Sequence, residues 1–217
     1  MIRRALVAGA TGLIGRHLLQ ELSARDEYSE VVALTRRPGA DRANKLRWLT
    51  VDFDALPPLP RADVFCALGT TLKRAGSREA FQHVDHDLVV ELAQRSLEAG
   101  APHFLMVSAL GADERSRIFY NRVKGAAESS VLRIGLPTVC VFRPSLLLGD
   151  RTEKRTGERL GAAVLSPLAP WFVGRFEKYR PIGADVVARA MVRAALDAER
   201  GPGVHIFESD QIAALGV

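Results

Sequence analysis

Short apolar stretches alternate along the chain with longer segments whose apolar residues recur at the ~3.6-residue period of a helix. This pattern predicts strands at residues 2–8, 31–35, 46–51, 64–68, 103–107, 138–142 and 205–207. It predicts helices at residues 12–25, 78–98 and 115–132, and a fourth that begins near residue 183. Because parallel strands need long crossovers, the alternation favours an α/β fold with a mainly parallel sheet and helices on both faces.

This order of elements is the doubly wound, Rossmann-type plan, in which ligands bind at the carboxyl ends of the strands where the strand order reverses. The chain of 217 residues fits a single domain, since an ordinary domain has ~150 residues. Gly9, Arg36, Asp52, Gly69 and Ser108 each follow a predicted strand. We therefore expect them at one edge of the sheet.

The composition is that of an ordinary globular protein, with 47% hydrophobic and 25% charged residues. The net charge is +5, yet the arginines are scattered rather than gathered on one helix or interleaved with aromatic residues. A solvated basic surface explains this pattern, with attraction of an anionic ligand as the alternative. The charge therefore indicates no specific nucleic-acid partner.

The apolar runs are interrupted well short of the ~20 residues that a membrane-spanning helix needs, so no membrane span is expected. The amino-terminal segment enters a predicted strand without an apolar region of signal-peptide length, which favours a cytoplasmic protein. Cys66 and Cys140 lie in apolar strand-like runs, and each is expected to be a buried thiol rather than a nucleophile.

A glycine-rich turn joins the first predicted strand to the first predicted helix, with the spacing Gly-x-x-Gly-x-x-Gly. Gly9 permits a tight turn, Gly12 lacks the Cβ that would block a pyrophosphate, and Gly15 lets the helix pack closely on the strand. The N–H groups at the helix start can bind phosphates. Although glycine-rich turns are common, this placement predicts a dinucleotide site. The prediction includes the neighbouring residues Thr11, Leu13 and Ile14.

The second predicted strand is followed by Arg36 and Arg37, where an NAD enzyme usually has an acidic residue that holds the ribose 2′-hydroxyl. A guanidinium group suits a 2′-phosphate, because it binds bidentately and stays charged. The pair therefore predicts NADP(H) as the cofactor, with an ordinary pair of surface arginines as the alternative.

Two further strand ends are predicted to contact the cofactor. Asp52 and Phe53 follow the third strand, where the acid could accept from the adenine amino group and the ring could cover one face of the base. The small residues around Leu68, Gly69 and Thr70 follow the fourth strand and would let the backbone approach a ribose. A structural turn is the alternative at both places.

Ser108, Tyr120 and Lys124 form the candidate catalytic set. Tyr120 and Lys124 are four residues apart on a predicted helix, so they share one face. A phenol ordinarily ionises near pH ~10, and a nearby ammonium stabilises the phenolate, which would let tyrosine exchange a proton with a carbonyl oxygen. The ammonium could also bind the nicotinamide ribose, which adds Tyr120 and Lys124 to the predicted cofactor contacts, and Ser108 would hold the substrate oxygen.

Four ionisable residues crowd one predicted helix, namely His83, Asp85, His86 and Asp87. The chain contains no His-Glu-x-x-His motif and no paired Cys/His spacing, so no metal site is expected. We interpret these residues as lying on the helix surface.

Seven further segments carry a resemblance to a known family, namely residues 66–71, 84–85, 107–108, 111–113, 120–125, 142–151 and 207–216. With the glycine turn, they make nearly the whole chain resemble the short-chain dehydrogenase/reductase superfamily, and most closely the Tat-interacting oxidoreductase group of its atypical members. By position, the resemblance assigns catalysis to Ser108, Tyr120 and Lys124. It assigns NADP contacts to Gly9, Gly12, Gly15 and Arg36, to which we add Pro144 in segment 142–151.

The resemblance implies an NADPH-dependent oxidoreductase that transfers a hydride between nicotinamide and a small carbonyl or alcohol substrate. Some relatives bind NADPH as a signal and act through protein partners, so a non-catalytic NADPH sensor is the alternative. Nucleotide-sugar modification is a third interpretation, but only 67 residues follow Asp150, which leaves little room for a sugar domain. Asp85 stands where many members of the superfamily have a catalytic asparagine.

We expect residues 1–217 to form one NAD(P)-binding domain with a small substrate cap around residues 150–182. Trp171, Phe172 and Tyr179 in this region would make the substrate pocket partly apolar.

Overall fold

A computed structural model gives the structure of residues 2–37, 44–148, 178–197 and 199–217. The strands are β1 Arg3–Ala8, β2 Tyr28–Thr35, β3 Leu46–Thr50, β4 Asp63–Cys66, β5 Phe104–Val107, β6 Thr138–Arg143, β7 Leu147–Leu148, β8 Ile182–Gly183 and β9 Gly203–Glu208. The helices are α1 Leu13–Ser23, α2 Leu72–Ala75, α3 Arg78–Gln82, α4 Leu88–Glu98, α5 Phe119–Arg133, α6 Ala184–Leu196 and α7 Ser209–Leu215. A π-helical segment, His83–Asp87, joins α3 to α4.

The main sheet has the strand order β3-β2-β1-β4-β5-β6-β9, and every neighbouring pair in it is parallel. The chain first builds outward from β1 to β3 and then returns to the other side of β1 with β4. The order therefore reverses between β1 and β4, which is where a doubly wound sheet binds its ligand. The predicted Rossmann-type α/β fold is confirmed.

Two layers of apolar side chains cover the faces of the sheet. On one face α1 packs against α6, with Leu18 and Leu22 of α1 in the same buried cluster as Val187 and Met191 of α6. On the other face α4 and α5 contribute a second cluster that includes Leu92. Helices on both faces leave the two ends of the strands as the places where polar side chains can gather.

The seven predicted strands and four predicted helices are present with shifted ends, and the helix predicted at 78–98 is interrupted by the π-helical segment. The short elements α2, α7, β7 and β8 were not predicted. Helix α5 begins at Phe119 rather than near residue 115, because local side-chain bonds hold the preceding segment in turns. Oδ1 of Asp113 accepts the N–H of Arg115 at 2.8 Å, and Oγ of Ser116 accepts the N–H of Ile118 at 3.2 Å. Such bonds compete with the helix.

The predicted substrate cap lies largely outside the described residues. Of the region around residues 150–182, the structure describes 178–182. There Tyr179 is about half exposed, and β8 pairs in parallel with β7 as a separate two-stranded sheet that the apolar pattern did not predict. The cap and the division into domains remain predictions, and Trp171 and Phe172 lie outside the described residues.

Candidate active site

The glycine turn after β1 is shaped by two close backbone approaches. Gly9 has a φ of 79°, and a Cβ on it would lie 2.3 Å from the carbonyl oxygen of Ala67, just after β4. A Cβ on Gly15 would lie 2.1 Å from the carbonyl oxygen of Gly9. Neither position has room for a side chain, because both obstacles are backbone atoms. The turn therefore lies against the end of β4, where the strand order reverses.

The start of α1 faces out of this turn. The N–H of Gly12 donates to the carbonyl oxygen of Gly9 at 2.9 Å, and Gly12, the N-cap of α1, has no side chain to cap the helix. Thr11 and Gly12 are exposed, Leu13 is half-buried, and Ile14 is buried in the core. Since the first N–H groups of a helix lack partners within it and carry partial positive charge, they could hold dinucleotide phosphates here.

Arg36 and Arg37 follow β2 and are both exposed. The hydroxyl of Thr35 accepts the N–H of Arg37 at 3.2 Å and donates to its carbonyl oxygen at 2.7 Å, which fixes the backbone at this point. Within the described ranges neither guanidinium group makes a hydrogen bond or an ion pair. Both are therefore available to bind an anion at the carboxyl edge of the sheet.

Asp52 and Phe53 follow β3 and differ in burial. Asp52 is exposed, and its Oδ1 accepts the N–H of Asp54 at 3.0 Å, which closes a local turn. Phe53 is 6% exposed and belongs to the same core cluster as Leu34 and Val51. The Phe53 ring therefore anchors the loop after β3 to the core. A contact of either residue with adenine remains a prediction.

The segment after β4 lies beside two charged side chains, those of Asp85 and Lys124. A Cβ on Gly69 would lie 3.3 Å from Oδ1 of Asp85 and 3.6 Å from Nζ of Lys124. The N–H of Thr70 donates to Oδ2 of Asp85 at 2.8 Å. The half-buried Leu68 packs against the core just before them. This segment, which was predicted to approach a ribose, therefore lies beside the candidate catalytic lysine.

Ser108 extends the pairing of β5, since its N–H donates to the carbonyl oxygen of Phe142 in β6 at 2.7 Å. Its side chain is 4% exposed, and its Oγ has no hydrogen-bond partner among the described residues. A buried hydroxyl without a partner costs about 1–3 kcal/mol, so this oxygen is suited to bind a ligand atom. The buried Pro144 lies in the adjoining loop, where its carbonyl oxygen accepts the N–H of Leu110 at 3.0 Å.

Tyr120 lies in the first turn of α5 and is held there by aromatic packing. The ring of Phe81, which is fully buried in α3, lies 5.6 Å from the ring of Tyr120 and 5.8 Å from that of Phe119. Tyr120 is nevertheless 36% exposed. The packing restricts the ring while part of the side chain remains open to solvent.

Lys124 lies one turn further along α5 and is buried with an ionic partner. Its Nζ is 2.8 Å from Oδ1 of Asp85, and the side chains of the two residues are 6% and 1% exposed. Burial acts to lower the pKa of Lys124, but Asp85 and Tyr120 outweigh it, and the pKa is raised from its ordinary value. Lys124 is therefore a fixed cation beside the end of β4.

The interpretation of Asp85 as a helix-surface residue is wrong, because its carboxylate points into the site. His83, His86 and Asp87 are only partly buried or exposed, as expected. The hydropathy pattern missed Asp85 because a charged residue in a helix usually faces solvent. The one available signal was the resemblance to the superfamily, which places Asp85 where many members have a catalytic asparagine.

A second buried ion pair joins α5 to β6. Arg143 contacts both carboxylate oxygens of Glu128, at 3.1 and 2.6 Å, and also contacts Glu208 at 3.1 Å. Glu128 is 4% exposed and lies one turn beyond Lys124. The sequence analysis did not find this pair, although the spacing of Tyr120, Lys124 and Glu128 by single turns places all three on one face of α5.

The two cysteines are buried, as predicted, and burial raises the pKa of each thiol to about 11. In the described part of the chain no group of three His, Cys, Asp or Glu residues is arranged to hold a metal ion. No helix described here is long and apolar enough to cross a membrane.

The sequence comparisons identify the family. The model of the NAD dependent epimerase/dehydratase family matches residues 5–103. The protein HTATIP2 of Rattus norvegicus is 33% identical over 225 residues, which cover 99% of this chain and 89% of that protein. The chain belongs to the HTATIP2-like group of atypical short-chain dehydrogenases/reductases. The predicted resemblance is thereby confirmed, and it supports an oxidoreductase-type function that uses a nicotinamide dinucleotide.

A fungal member of the HTATIP2-like group corrects one prediction. The protein named "FMP52, mitochondrial" of Eremothecium gossypii is 34% identical and covers 97% of this chain and 96% of its own length. Several other fungal relatives carry the same designation. The expectation of a cytoplasmic protein is therefore wrong on this comparison, since these names point to mitochondria.

Solved structures share the fold of the chain. MoeE5 in complex with UDP-glucose and NAD matches 94% of this chain and 76% of its own, with a TM-score of 0.69 and 21% identity. The human epimerase family protein SDR39U1 with NADPH matches 98% of this chain and 80% of its own, with a TM-score of 0.61 and 21% identity. These likenesses show the fold, and the two neighbours bind different forms of the dinucleotide.

Proposed function

We propose that the protein is an NADPH-dependent oxidoreductase that transfers a hydride between nicotinamide and a small carbonyl or alcohol substrate, with Tyr120 as the acid/base. The observation that carries the proposal is the placement of Lys124. Its ammonium is buried beside Gly69 at the end of β4, one helical turn from the partly exposed Tyr120.

The described residues fit a dinucleotide. Gly9 and Gly15 lie where a side chain would meet backbone, and the uncapped start of α1 faces the same turn. When bound, the nicotinamide supplies or accepts the hydride. The polypeptide binds and orients the two reactants and moves the proton.

Three side chains would bind the substrate oxygen, transfer the proton and hold the nicotinamide ribose. Ser108 would donate a hydrogen bond to the substrate oxygen, because its hydroxyl is buried just after β5 and has no hydrogen-bond partner among the described residues. Tyr120 would give its phenolic proton to the same oxygen as the carbonyl is reduced, and would take it back in alcohol oxidation. Lys124 would hold the nicotinamide ribose and influence the ionisation of the phenol.

The preference for NADPH is supported by Arg36 and Arg37. Both are exposed after β2, where an acidic residue would favour NADH by binding the ribose diol. Charge-assisted hydrogen bonds from a guanidinium group to a phosphate contribute about 1.5–3 kcal/mol each.

The role of Tyr120 predicts a separation of turnover from binding. Tyr120→Phe should lower the rate of hydride transfer about 100- to 10,000-fold, the usual contribution of a general acid, and should leave NADPH affinity nearly unchanged. Single-turnover oxidation of NADPH and fluorescence titration on the same samples measure the two quantities. Normal turnover in this variant would move the acid to another residue.

A substrate panel separates the enzyme from a sensor. Aldehydes, ketones and quinones should include at least one compound that oxidises NADPH faster than the background without substrate, and Ser108→Ala should reduce that rate. A panel without turnover, together with an NADPH-dependent interaction with a partner protein that is indifferent to Tyr120→Phe, would refute the catalytic proposal.

A further inference from the structure

The Asp85 carboxylate joins three parts of the site. Its Oδ1 lies 2.8 Å from Nζ of Lys124 in α5, and its Oδ2 accepts the N–H of Thr70, after β4, at 2.8 Å. Asp85 itself belongs to the π-helical segment. Both of its oxygens therefore hold elements that border the candidate site.

The π-helical turn is what separates Asp85 from its charged neighbours. His83 contacts Asp54 at 3.0 Å and is 44% exposed, and His86 contacts Ser130 at 3.3 Å, while the Asp85 side chain is 1% exposed. A π-helical turn inserts an extra residue into a helix and occurs frequently at functional sites. Here the local geometry directs one carboxylate inward and leaves both histidines outside.

A buried carboxylate changes the charge that Lys124 presents to its surroundings. Among the described residues, the groups that interact electrostatically with Lys124 are Asp85, Tyr120 and Cys66. Asp85 is close enough to form an ion pair, and in a poorly solvated site its negative charge offsets much of the field of the ammonium. An asparagine at the same position would leave that field uncompensated.

We propose that Asp85 is a positioning residue that holds the Lys124 ammonium and offsets most of its charge, so that Tyr120 retains its proton to higher pH. The proposal rests on the proposed role of Tyr120 as the acid. Its consequence is a wider pH range in which the site can donate a proton to a carbonyl oxygen. Proton removal from an alcohol then requires more alkaline conditions.

The direction of the expected shift does not depend on which group loses the proton. Removing the carboxylate charge favours proton loss from both the Lys124 ammonium and the Tyr120 phenol. Whichever of the two groups loses its proton first, that proton loss therefore moves to lower pH when the carboxylate charge is removed.

The test uses the absorbance of tyrosinate during a pH titration of the purified protein. The chain has 3 tyrosines, and the signal of Tyr120 is the difference between each protein and the same protein carrying Tyr120→Phe. Asp85→Asn keeps an oxygen that can accept the Thr70 N–H, while its NH2 group, which cannot accept from the Lys124 ammonium, replaces the other oxygen, so it removes the charge and the acceptor that face Lys124. Its Tyr120 midpoint should fall by about one pH unit, a tenfold rise in the ionisation constant.

Asp87→Asn is the matched control, because it removes the same charge from the same π-helical segment at a side chain that is 51% exposed. Its midpoint should stay within about 0.3 unit of the wild type, since exposed charges are screened. A fall of less than about 0.5 unit in Asp85→Asn, or a rise, would overturn the proposal.

If Asp85→Asn does not fold, as judged by circular dichroism, the double variant Asp85→Asn/Lys124→Met carries the test, because it leaves neither charge of the pair buried alone. Offset charges predict a wild-type midpoint within about 0.5 unit of the double variant. A wild-type midpoint that is lower by more than this would show that the ammonium acts uncompensated. The titration requires no substrate, so a failure of the proposed enzymatic function would appear separately, as absent turnover.

Discussion

Charged residues at the carboxyl edge of the sheet differ in their partners. Lys124 is buried against Asp85, whereas Arg36 and Arg37 are exposed with unpaired guanidinium groups in the described ranges. A buried, paired cation acts on its immediate neighbours. Exposed cations can instead bind an anion that arrives from solution.

Arg36→Ala should weaken NADPH binding about 10- to 100-fold and leave NADH binding unchanged, because it removes charge-assisted bonds worth about 1.5–3 kcal/mol to the 2′-phosphate. Fluorescence titration with both cofactors measures the effect. Arg61→Ala is the control, since Arg61 is exposed just before β4, at the opposite edge of the sheet. An equal loss for both cofactors would show that Arg36 does not recognise the 2′-phosphate.

Some residues of the candidate site could be assigned from sequence and others could not. The glycine turn and Ser108 were placed correctly at strand ends, because each depends only on neighbours along the chain. Phe81 was missed as part of the site, and Asp85 was assigned to the helix surface although the resemblance places it where many members have a catalytic asparagine. The contacts of Asp85 with Lys124 and of Phe81 with Tyr120 form only when α3 and the π-helical segment pack on α5.

At the scale of elements, the turn between β1 and α1 depends on close packing of backbone. Gly15 brings α1 against the carbonyl oxygen of Gly9, and Gly9 brings the turn against the end of β4. The position of the helix start, and with it the direction of its free N–H groups, is therefore fixed by the absence of two side chains.

Gly15→Ala should destabilise the protein by about 1–3 kcal/mol and weaken NADPH binding, because the added Cβ must push α1 away from the turn. Urea denaturation and cofactor titration measure the two effects. Gly201→Ala provides the comparison, since a Cβ there would meet no described atom within 4 Å, and its stability should change by less than about 0.5 kcal/mol. Equal stabilities of the two variants would contradict the packing argument.

The types of the longer elements were predictable, whereas the short elements α2, α7, β7 and β8 and several boundaries were not. Alternating apolar strands and periodic helices predict a parallel, doubly wound sheet, but the strand order had to come from the structure, because sheets of this class occur with more than one order. The start of α5 and the π-helical turn at His83–Asp87 depend on side-chain hydrogen bonds and tertiary packing. The spacing of apolar residues along the chain does not predict either of these.

At the scale of the whole molecule, each edge of the sheet contains a buried carboxylate. Asp85 lies at the carboxyl edge, and Asp63 lies at the amino edge, where it is 1% exposed. Asp63 accepts from the Tyr28 hydroxyl at 3.0 Å and contacts His103 at 2.7 Å and Arg3 at 3.3 Å. These partners begin or precede separate strands, so the network holds the amino edge together.

Tyr28 makes stability depend on alkaline pH. Burial, and next the Asp63 carboxylate, raise the pKa of Tyr28, so the folded protein keeps this phenol protonated where the unfolded chain ionises it. The stabilisation is therefore complete below pH ~10 and is lost as pH rises above it, by about 1.4 kcal/mol per pH unit.

Tyr28→Phe should lower the free energy of unfolding by about 1.5–3 kcal/mol at neutral pH, because the buried Asp63 loses a donor. The difference between wild type and variant should shrink above pH ~10, as measured by urea denaturation across the range. A difference that stays constant above pH ~10 would mean that the folded protein ionises Tyr28 at the same pH as the unfolded chain.

The packing of α1 against α6 has a consequence for the nascent chain. A ribosome adds roughly 5–20 residues per second from the amino end, so α1 is made long before its partner, Ala184–Leu196. Until then, Leu18 and Leu22 lack the side chains that cover them in the finished protein. The glycine turn between β1 and α1 is thus translated well before the layer of side chains that supports α1 is complete.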